Sequence, residues 1–247
     1  MDRYRFHLPE LLPQSGETPF RLPEEEAHHA RNVLRLEAGS DIELFDGSGH
    51  AAPARLTAVT RQAVTATLTG PMTTDPPAPL ELTLAVAIPK ADRADTLVEQ
   101  ASQLEVAGLQ WLDTERSVVK PREGGNKLAK WRRLAIETAK QCGRNRVLQI
   151  HEPRTLAALL ADLPAGLLLW LEPRDDPATR PLARLIPSPG SAVTALIGPE
   201  GGWSDRERTL LTDLVRHKKI HRVLLTRTIL RIETAAAATA ALLLAQQ

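Results

Sequence analysis

The amino-acid sequence predicts an α/β protein of two domains, a small β-rich domain followed by a larger one built on a parallel sheet. Short strand-like segments fill the chain as far as Gly70, whereas strand-like and helix-like segments alternate after Leu80. The segment between them, Gly70–Leu80, is dense in proline, which fixes its own φ and donates no backbone hydrogen bond. Such a segment is expected to be a semi-rigid linker, and we predict domains over residues 1–72 and 73–247.

The first domain is expected to be a small β-barrel with one helix. Its predicted strands are Ile42–Phe45, Ala54–Val59 and Val64–Leu68, which have alternating or β-branched character and are separated by turn sequences. A helix is predicted over Glu24–Leu36, where apolar residues recur at helical spacing.

The second domain alternates buried strands with helices, an order typical of a mostly parallel sheet with helices on both faces. The predicted strands are Leu82–Ile88, Leu109–Asp113, Leu167–Leu171, Val193–Ile197 and Arg222–Leu225. The predicted helices are Arg93–Glu105, Lys127–Cys142, Ser204–His217 and Glu233–Leu244. Ligands of such sheets bind beyond the carboxyl ends of the strands, so we expect a site in the loops that follow them.

The most informative of these loops lies within Val193–Ser204, where an apolar strand leads into Gly198–Gly202 and then into a helix. Ser204 with Glu207 three residues later is a capping-box pattern, which marks the start of that helix. Glycines permit positive φ and let a ligand approach bare backbone. The loop can therefore present amides and carbonyls to a ligand, or it can be a tight connection with nothing bound.

Composition narrows the function classes. The net charge is +1 and the pI is near 8.0, so a polyanionic partner must meet a local patch. A single cysteine, Cys142, excludes an intramolecular disulfide, and we expect no metal site because no ligands stand at metal spacing. Phosphate-loop, zinc-protease and nucleophile-elbow motifs are missing. Without a signal peptide or a long apolar run, a soluble cytoplasmic protein with no membrane partner is expected.

Basic residues supply two local patches, of the kind expected for contact with a nucleic-acid backbone. A solvated helix face would give the same pattern. The first patch lies in the first domain: Arg3, Arg5, Arg21, His28, His29, Arg31 and Arg35. The second lies in segment 116–146, opposed only by Glu123 and Glu137: Arg116, Lys120, Arg122, Lys127, Lys130, Arg132, Arg133, Lys140, Arg144 and Arg146.

Five separated motifs follow one another along the chain: HHARNVLRL at His28–Leu36, KADR at Lys90–Arg93, QCGR at Gln141–Arg144, LIGPEGGWSDRE at Leu196–Glu207, and ILRIETA at Ile229–Ala235. Together they resemble the RsmE family of ribosomal small-subunit RNA uridine N3-methyltransferases, in the SPOUT superfamily. The resemblance implies a PUA-like RNA-binding barrel, then a SPOUT-type α/β domain with a C-terminal deep trefoil knot. It also implies a homodimer, S-adenosylmethionine as cofactor, and methylation of one uridine in the decoding region of 16S ribosomal RNA.

The resemblance places the cofactor between two segments. The first would contribute Leu196, Gly198, Glu200, Gly201 and Gly202, and the second would contribute Leu225, Ile229 and Leu230. Backbone groups would bind the adenine edge while the leucines enclose the ring. Family members usually have glycine and arginine where this chain has Thr226 and Thr228, so a side chain now occupies a position at which the loop approaches the cofactor.

Methylation at N3 of uracil needs a base or stabilising cations, because N3 is a poor nucleophile until its proton leaves. We expect Arg231 and Arg144 to hold the uracil anion, and Glu200 or Glu233 to receive the proton or to fix an arginine. The residues expected to contact RNA are Arg3, Arg5, His29, Arg31, Arg35, Lys90, Arg93, Arg116, Arg132, Arg133 and Arg144. Two alternatives stay open: 2′-O-ribose methylation by the same fold, and a non-catalytic RNA-binding assembly factor.

Overall fold

The computed structural model describes residues 4–9, 19–90, 92–120, 126–172 and 179–245. The chain divides into two compact units, one formed by residues 1–76 with 139–147 and one by residues 77–138 with 148–247. Residues 139–147 therefore group with the first unit, although the boundary predicted from the sequence assigns them to the second domain. Arg3, one of the expected RNA contacts, lies outside the described residues.

The first unit is built on a mixed six-stranded sheet. Its strands are β1 Tyr4–His7, β2 Phe20–Arg21, β3 Asp41–Phe45, β4 His50–Val59, β5 Val64–Leu68 and β6 Thr73–Thr74. They pair in the order β1-β3-β4-β5-β2, with β6 on β4; β1 and β3 are parallel and the other pairs are antiparallel. The three predicted strands are confirmed, and the alternation of β3 buries Ile42 and Leu44 in the core of this unit.

The predicted helix of this unit is confirmed as far as Val33. It begins as α1 Glu24–His28 and continues as a π-helical turn over His29–Val33, with Ala27 and Ala30 buried. The chain then leaves the helix through Arg35, whose φ of 54° is in the left-handed region.

The second unit is built on a seven-stranded sheet, in which all described strand pairs are parallel. Its strands are β7 Leu80–Ala87, β8 Gly108–Asp113, β9 Gln149–Thr155, β10 Leu167–Leu171, β11 Arg180–Pro181, β12 Ser191–Ile197 and β13 His221–Leu224. The helices that follow α1 are α2 Arg93–Gln103, α3 Asn126–Cys142, α4 Leu156–Ala161, α5 Asp205–Arg216 and α6 Ile232–Leu244. The predicted parallel sheet is thus confirmed, with its predicted strands and helices.

The sequence did not predict β9, because this strand is at the edge of the sheet and most of its residues are exposed or half-buried. The central strands are easier to predict because parallel strands are covered on both faces. Leu82 and Leu84 of β7 and Leu196 of β12 are fully buried. Around Leu196 the core contains Trp170, Trp203 and side chains from α4 and α5.

The order of strands in this sheet, β11-β13-β10-β12-β7-β8-β9, determines which loops meet. Because β13, β10 and β12 are neighbours and parallel, their carboxyl ends lie side by side. The segments that follow these strands, which begin at Glu172, Gly198 and Leu225, therefore share one edge of the sheet.

Candidate functional site

A cavity of about 330 Å³ lies at the carboxyl ends of β10, β12 and β13, where parallel sheets generally bind ligands. The segment after β10 contributes Leu171 and Glu172 to its wall. The segment after β12 contributes Ile197, Gly198, Pro199, Glu200, Gly201, Gly202, Trp203 and Arg208. The segment after β13 contributes Leu225, Thr226, Thr228, Ile229, Leu230, Ile232 and Ala235.

The glycine loop lines the cavity, and two of its glycines, Gly198 and Gly202, stand where a side chain would clash or strain the backbone. A Cβ atom at Gly198 would lie 2.7 Å from the ring of Trp203, which packs in the core beneath the loop. Gly202 has a φ of 69°, and its N–H donates to the carbonyl of Pro199 at 2.8 Å. Bare backbone therefore faces the cavity, as the sequence predicted.

The loop is held at its far end by the predicted capping box, which is confirmed. The Glu207 N–H donates to Ser204 Oγ at 3.1 Å, and the Ser204 N–H donates to Glu207 Oε2 at 2.8 Å. The other oxygen of Glu207 accepts a hydrogen bond from the Glu115 N–H at 2.9 Å. One buried carboxylate thus connects the start of α5 to the segment after β8.

The opposite wall contains the residues in which this chain departs from the family pattern. Thr226 Oγ1 donates to the carbonyl of Thr228 at 2.8 Å, so its hydroxyl closes a local turn. Leu225 and Leu230 are half-buried, whereas Ile229 is 86% exposed. This segment therefore contributes apolar side chains and a closed threonine turn to the cavity lining.

The predicted catalytic carboxylates meet at an arginine that the sequence assigned only to RNA. Arg93 Nη2 lies 3.1 Å from Glu200 Oε1, and Arg93 Nη1 lies 3.9 Å from Glu233 Oε2. Arg93 Nε donates to the carbonyl of Lys90 at 3.2 Å, which fixes its orientation. Glu233 is buried in the first turn of α6, and its Oε2 has no hydrogen-bond partner.

The two arginines expected to hold the uracil anion are not placed together in one unit. Arg231 is exposed and precedes α6 as its N-cap residue. Arg144 belongs to the first unit, where its carbonyl accepts a hydrogen bond from Arg5 Nη1 at 3.1 Å. Its part in holding uracil stays a prediction.

Several expected RNA contacts of the first unit have internal partners. Arg5 has a side chain only 10% exposed, pairs with Glu43 at 2.6 Å, and lies over the Phe45 ring at 4.6 Å. Arg31 Nη1 donates to the Thr60 carbonyl at 2.7 Å, and the rings of His29 and Phe6 form a T-shaped contact. These contacts stabilise the unit, and Arg5 has little surface left for a phosphate.

The expected RNA contacts of the second unit are more accessible. Lys90, Arg116, Arg132 and Arg133 are exposed. Arg132 donates to the Ile150 carbonyl at 3.1 Å, and Arg116 lies 3.9 Å from Asp205 at the start of α5. Arg116 also neighbours Gly201, so this cation lies beside the glycine loop.

One expected cofactor residue is absent from the cavity lining, and several lining residues were not expected to bind the cofactor. Leu196 is fully buried in the core, and Ile197 lines the cavity instead, because successive side chains of a strand alternate. Glu172, Arg208 and Ile232 were not predicted. Glu172 directly follows β10, so the rule that ligands lie beyond strand ends could have found it.

The lining residues fit the cofactor that the sequence resemblance implies. Ile197, Leu225 and Leu230 offer apolar contacts for a ring, and the glycine loop offers backbone groups. Glu172 also has one buried oxygen without a hydrogen-bond partner. Within the described ranges, no three His, Cys, Asp or Glu side chains are grouped so as to hold a metal ion. None of the helices described there is long and apolar enough to cross a membrane.

Comparison with known proteins agrees with this architecture. The family model for an RNA methyltransferase domain matches residues 76–244, and that for an RNA methyltransferase PUA domain matches residues 22–69. Ribosomal RNA small subunit methyltransferase E of Synechocystis is 31% identical over 74% of this chain and 60% of its own length. The protein of the same name from Bacillus subtilis is 26% identical over 86% of both chains.

Solved structures give the same result over nearly the whole chain. A methyltransferase of Legionella pneumophila in complex with the cofactor SAM is 28% identical over 99% of this chain and 98% of its own, with a TM-score of 0.80. Ribosomal RNA small subunit methyltransferase E of Neisseria gonorrhoeae, bound to S-adenosyl methionine, is 32% identical over 97% of this chain and 96% of its own, with a TM-score of 0.82. The chain therefore belongs to the family of the ribosomal RNA small subunit methyltransferases E, RNA methyltransferases with an N-terminal PUA domain.

Proposed function

We propose that the protein transfers the methyl group of S-adenosylmethionine to N3 of one uridine in 16S ribosomal RNA, in the decoding region of the small subunit. The observation that supports this most directly is the cavity between the glycine loop and Leu225–Leu230, beside the cluster of Arg93, Glu200 and Glu233. Relatives named for small-subunit RNA methylation, one of them solved with the cofactor, support it further.

The cofactor would be held by the two walls of the cavity. When bound, it supplies an electrophilic methyl group on a sulfonium. The backbone of Gly198, Gly201 and Gly202 would bind the polar edge of the adenine, and the side chains of Leu225 and Leu230 would pack on its ring. Glu200 would connect this loop to Arg93, and Ile229 would cover the open side.

Glu233 is the carboxylate we assign as proton acceptor. Arg93 lies closer to Glu200 than to Glu233, and Glu233 Oε2 has no hydrogen-bond partner. In the proposed step this oxygen accepts a hydrogen bond from N3–H and takes its proton, while Arg93 and the exposed Arg231 stabilise the negative charge that develops on uracil. Positioning supplies the remaining acceleration, since methyl transfer needs the nucleophile in line with the methyl group.

The remaining features of the proposal concern the whole molecule. Residues 1–72 would form the RNA-binding domain and residues 73–247 the catalytic domain. The end of the chain would pass through a deep trefoil knot, which fits a chain that leaves β12, forms α5 and returns on the far side of β10. A homodimer acting on the small subunit in the cytoplasm completes the proposal.

The test is transfer of a labelled methyl group to two substrates, free 16S RNA and small subunits, both from a strain that lacks the enzyme. Nucleoside mass spectrometry then locates the label. We expect 3-methyluridine. A methyl group on ribose would support the 2′-O alternative, whereas no transfer and no heat of cofactor binding in calorimetry would support the non-catalytic assembly factor.

A further inference from the structure

Glu172 is a buried carboxylate in the cavity wall that the proposed reaction does not use. It directly follows β10, and its N–H donates to the Val223 carbonyl of β13 at 3.1 Å, so its backbone is fixed between two strands. Its side chain is only 2% exposed. One oxygen, Oε2, accepts a hydrogen bond from Arg208 Nη1, whereas the other, Oε1, is buried without a partner.

A buried carboxylate oxygen without a hydrogen-bond partner is unfavourable, because burial removes its hydrogen bonds to water and no protein donor replaces them. Protein folding alone does not explain its placement at the edge of a cavity. A ligand that brings a hydrogen-bond donor would remove this penalty. The orphaned oxygen thus points to a donor on whatever molecule the cavity binds.

The charge at this position indicates which kind of donor fits. Arg208 already neutralises Glu172, and both residues line the cavity. A second cation would leave an excess positive charge in a site of low dielectric. A hydroxyl group gives a hydrogen bond to the charged acceptor without adding charge. An acidic side chain at the end of a parallel strand is also a known solution for binding ribose hydroxyls.

We propose that Glu172 Oε1 accepts a hydrogen bond from the ribose hydroxyls of the adenosyl group and selects ribonucleosides over deoxyribonucleosides. This inference rests on the proposed function, because it assigns the cofactor to the cavity. Arg208 is then a positioning residue that holds Glu172 charged and in place.

The first experiment uses the unmodified protein and isothermal titration calorimetry. The ligands are S-adenosylhomocysteine, its 2′-deoxy and 3′-deoxy analogues, and 5′-methylthioadenosine, which keeps the ribose but lacks the amino acid. We expect at least one deoxy analogue to bind about 10- to 100-fold more weakly, the range for a hydrogen bond to a charged acceptor. Equal binding of all three homocysteine ligands overturns the inference alone, whereas no binding of S-adenosylhomocysteine overturns the proposed function with it.

The second experiment asks whether Glu172 causes the discrimination. In Glu172→Gln, the ratio of ribose to deoxyribose affinity should fall towards one, and this ratio does not depend on the fraction of folded protein. Glu172→Asp keeps the charge but withdraws the oxygen by one methylene, so it should also lose discrimination. It serves as the test variant if the glutamine variant does not fold. Glu81→Gln, exposed at the amino end of β7, is the matched control and should keep it.

Two results would contradict the assignment. Full ribose discrimination in the Glu172 variants would place the hydroxyl contact elsewhere in the cavity. Weaker binding of S-adenosylhomocysteine together with unchanged binding of 5′-methylthioadenosine would mean that Glu172 binds the ammonium group of the amino acid instead.

Discussion

Arg93 and Glu200 form an ion pair at 3.1 Å that joins the first turn of α2 to the glycine loop after β12. Both side chains are partly exposed, so the pair itself contributes little to stability. Its importance lies in position, because the same guanidinium lies 3.9 Å from Glu233 on α6. Arg93 thereby connects the cofactor loop with the proposed proton acceptor.

Replacing Arg93 with methionine should lower kcat for methyl transfer by about 100-fold, the effect of removing one stabilising charge from a transition state. The Kd for S-adenosylhomocysteine, measured by calorimetry, should stay close to that of the parent because Arg93 does not line the cavity. Arg184→Met, in the exposed turn before β12, is the charge-matched control. A large loss of cofactor affinity with kcat preserved would show that Arg93 only shapes the loop.

The two carboxylates beside Arg93 should differ in their effect on rate. Glu233→Gln should lower kcat by about 10²- to 10⁴-fold and abolish the fall in rate at acidic pH, because a general base must be ionised to act. Glu200→Gln should have a smaller effect and keep the pH profile, since it acts through Arg93. Rates of both variants measured across pH decide the matter: near-parent rates with unchanged profiles would exclude a carboxylate base.

The sequence predicted those parts of the site that depend on neighbours in the chain. The strand, the glycine loop and the Ser204 cap follow from residues within a few positions of each other, and the structure confirms all three. Leu196 was expected at the cofactor, whereas its side chain lies in the core, because the sequence alone did not establish which side chains of β12 face the cavity. The family resemblance predicted which two loops meet, which local pattern could not.

Contacts between segments that are distant in the chain could not be predicted from the sequence. Arg93 looked like one of many surface cations, and only the packing of α2 against α6 and β12 against β7 brings it to Glu200 and Glu233. Glu172 belongs to no motif in the sequence, and only the structure shows that one of its oxygens is bonded to Arg208 while the other has no partner. The edge strand β9 was not predicted because few of its side chains are buried, so its sequence has no clear hydrophobic pattern.

The start of α5 should depend more on Glu207 than on Ser204. Ser204→Ala removes one cap hydrogen bond and should lower the free energy of unfolding by about 1 kcal/mol. Glu207→Ala leaves the N–H groups of Ser204 and Glu115 without their acceptor, and should cost about 2 kcal/mol or more. Urea unfolding measures both, with Thr209→Ala on the exposed face of α5 as control. Equal losses for the two variants would mean that the Glu115 contact is not stabilising.

The turn after β3 should make the first unit sensitive to strong acid. Burial opposes ionisation of Asp46, but hydrogen bonds from Ser48 Oγ, the His50 N–H and the His50 ring outweigh it and lower the pKa from 3.8 to about 2. The ionised carboxylate therefore stabilises the fold fully above pH 3.8, and this stabilisation is lost as the pH falls through about 2. The difference in unfolding free energy between the parent and Asp46→Asn should shrink over that range, and a constant difference would contradict the assignment.

The family resemblance predicts glycine at position 226, yet the φ of Thr226 is not in the positive region and its hydroxyl donates to the Thr228 carbonyl at 2.8 Å. The backbone conformation at this position therefore does not require glycine. Thr226→Gly should weaken binding of S-adenosylhomocysteine about fivefold, because ordering the looser loop costs about 1 kcal/mol more. Thr226→Ser keeps the hydroxyl and should bind like the parent. Tighter binding by the glycine variant in calorimetry would show instead that the threonine side chain obstructs the cavity.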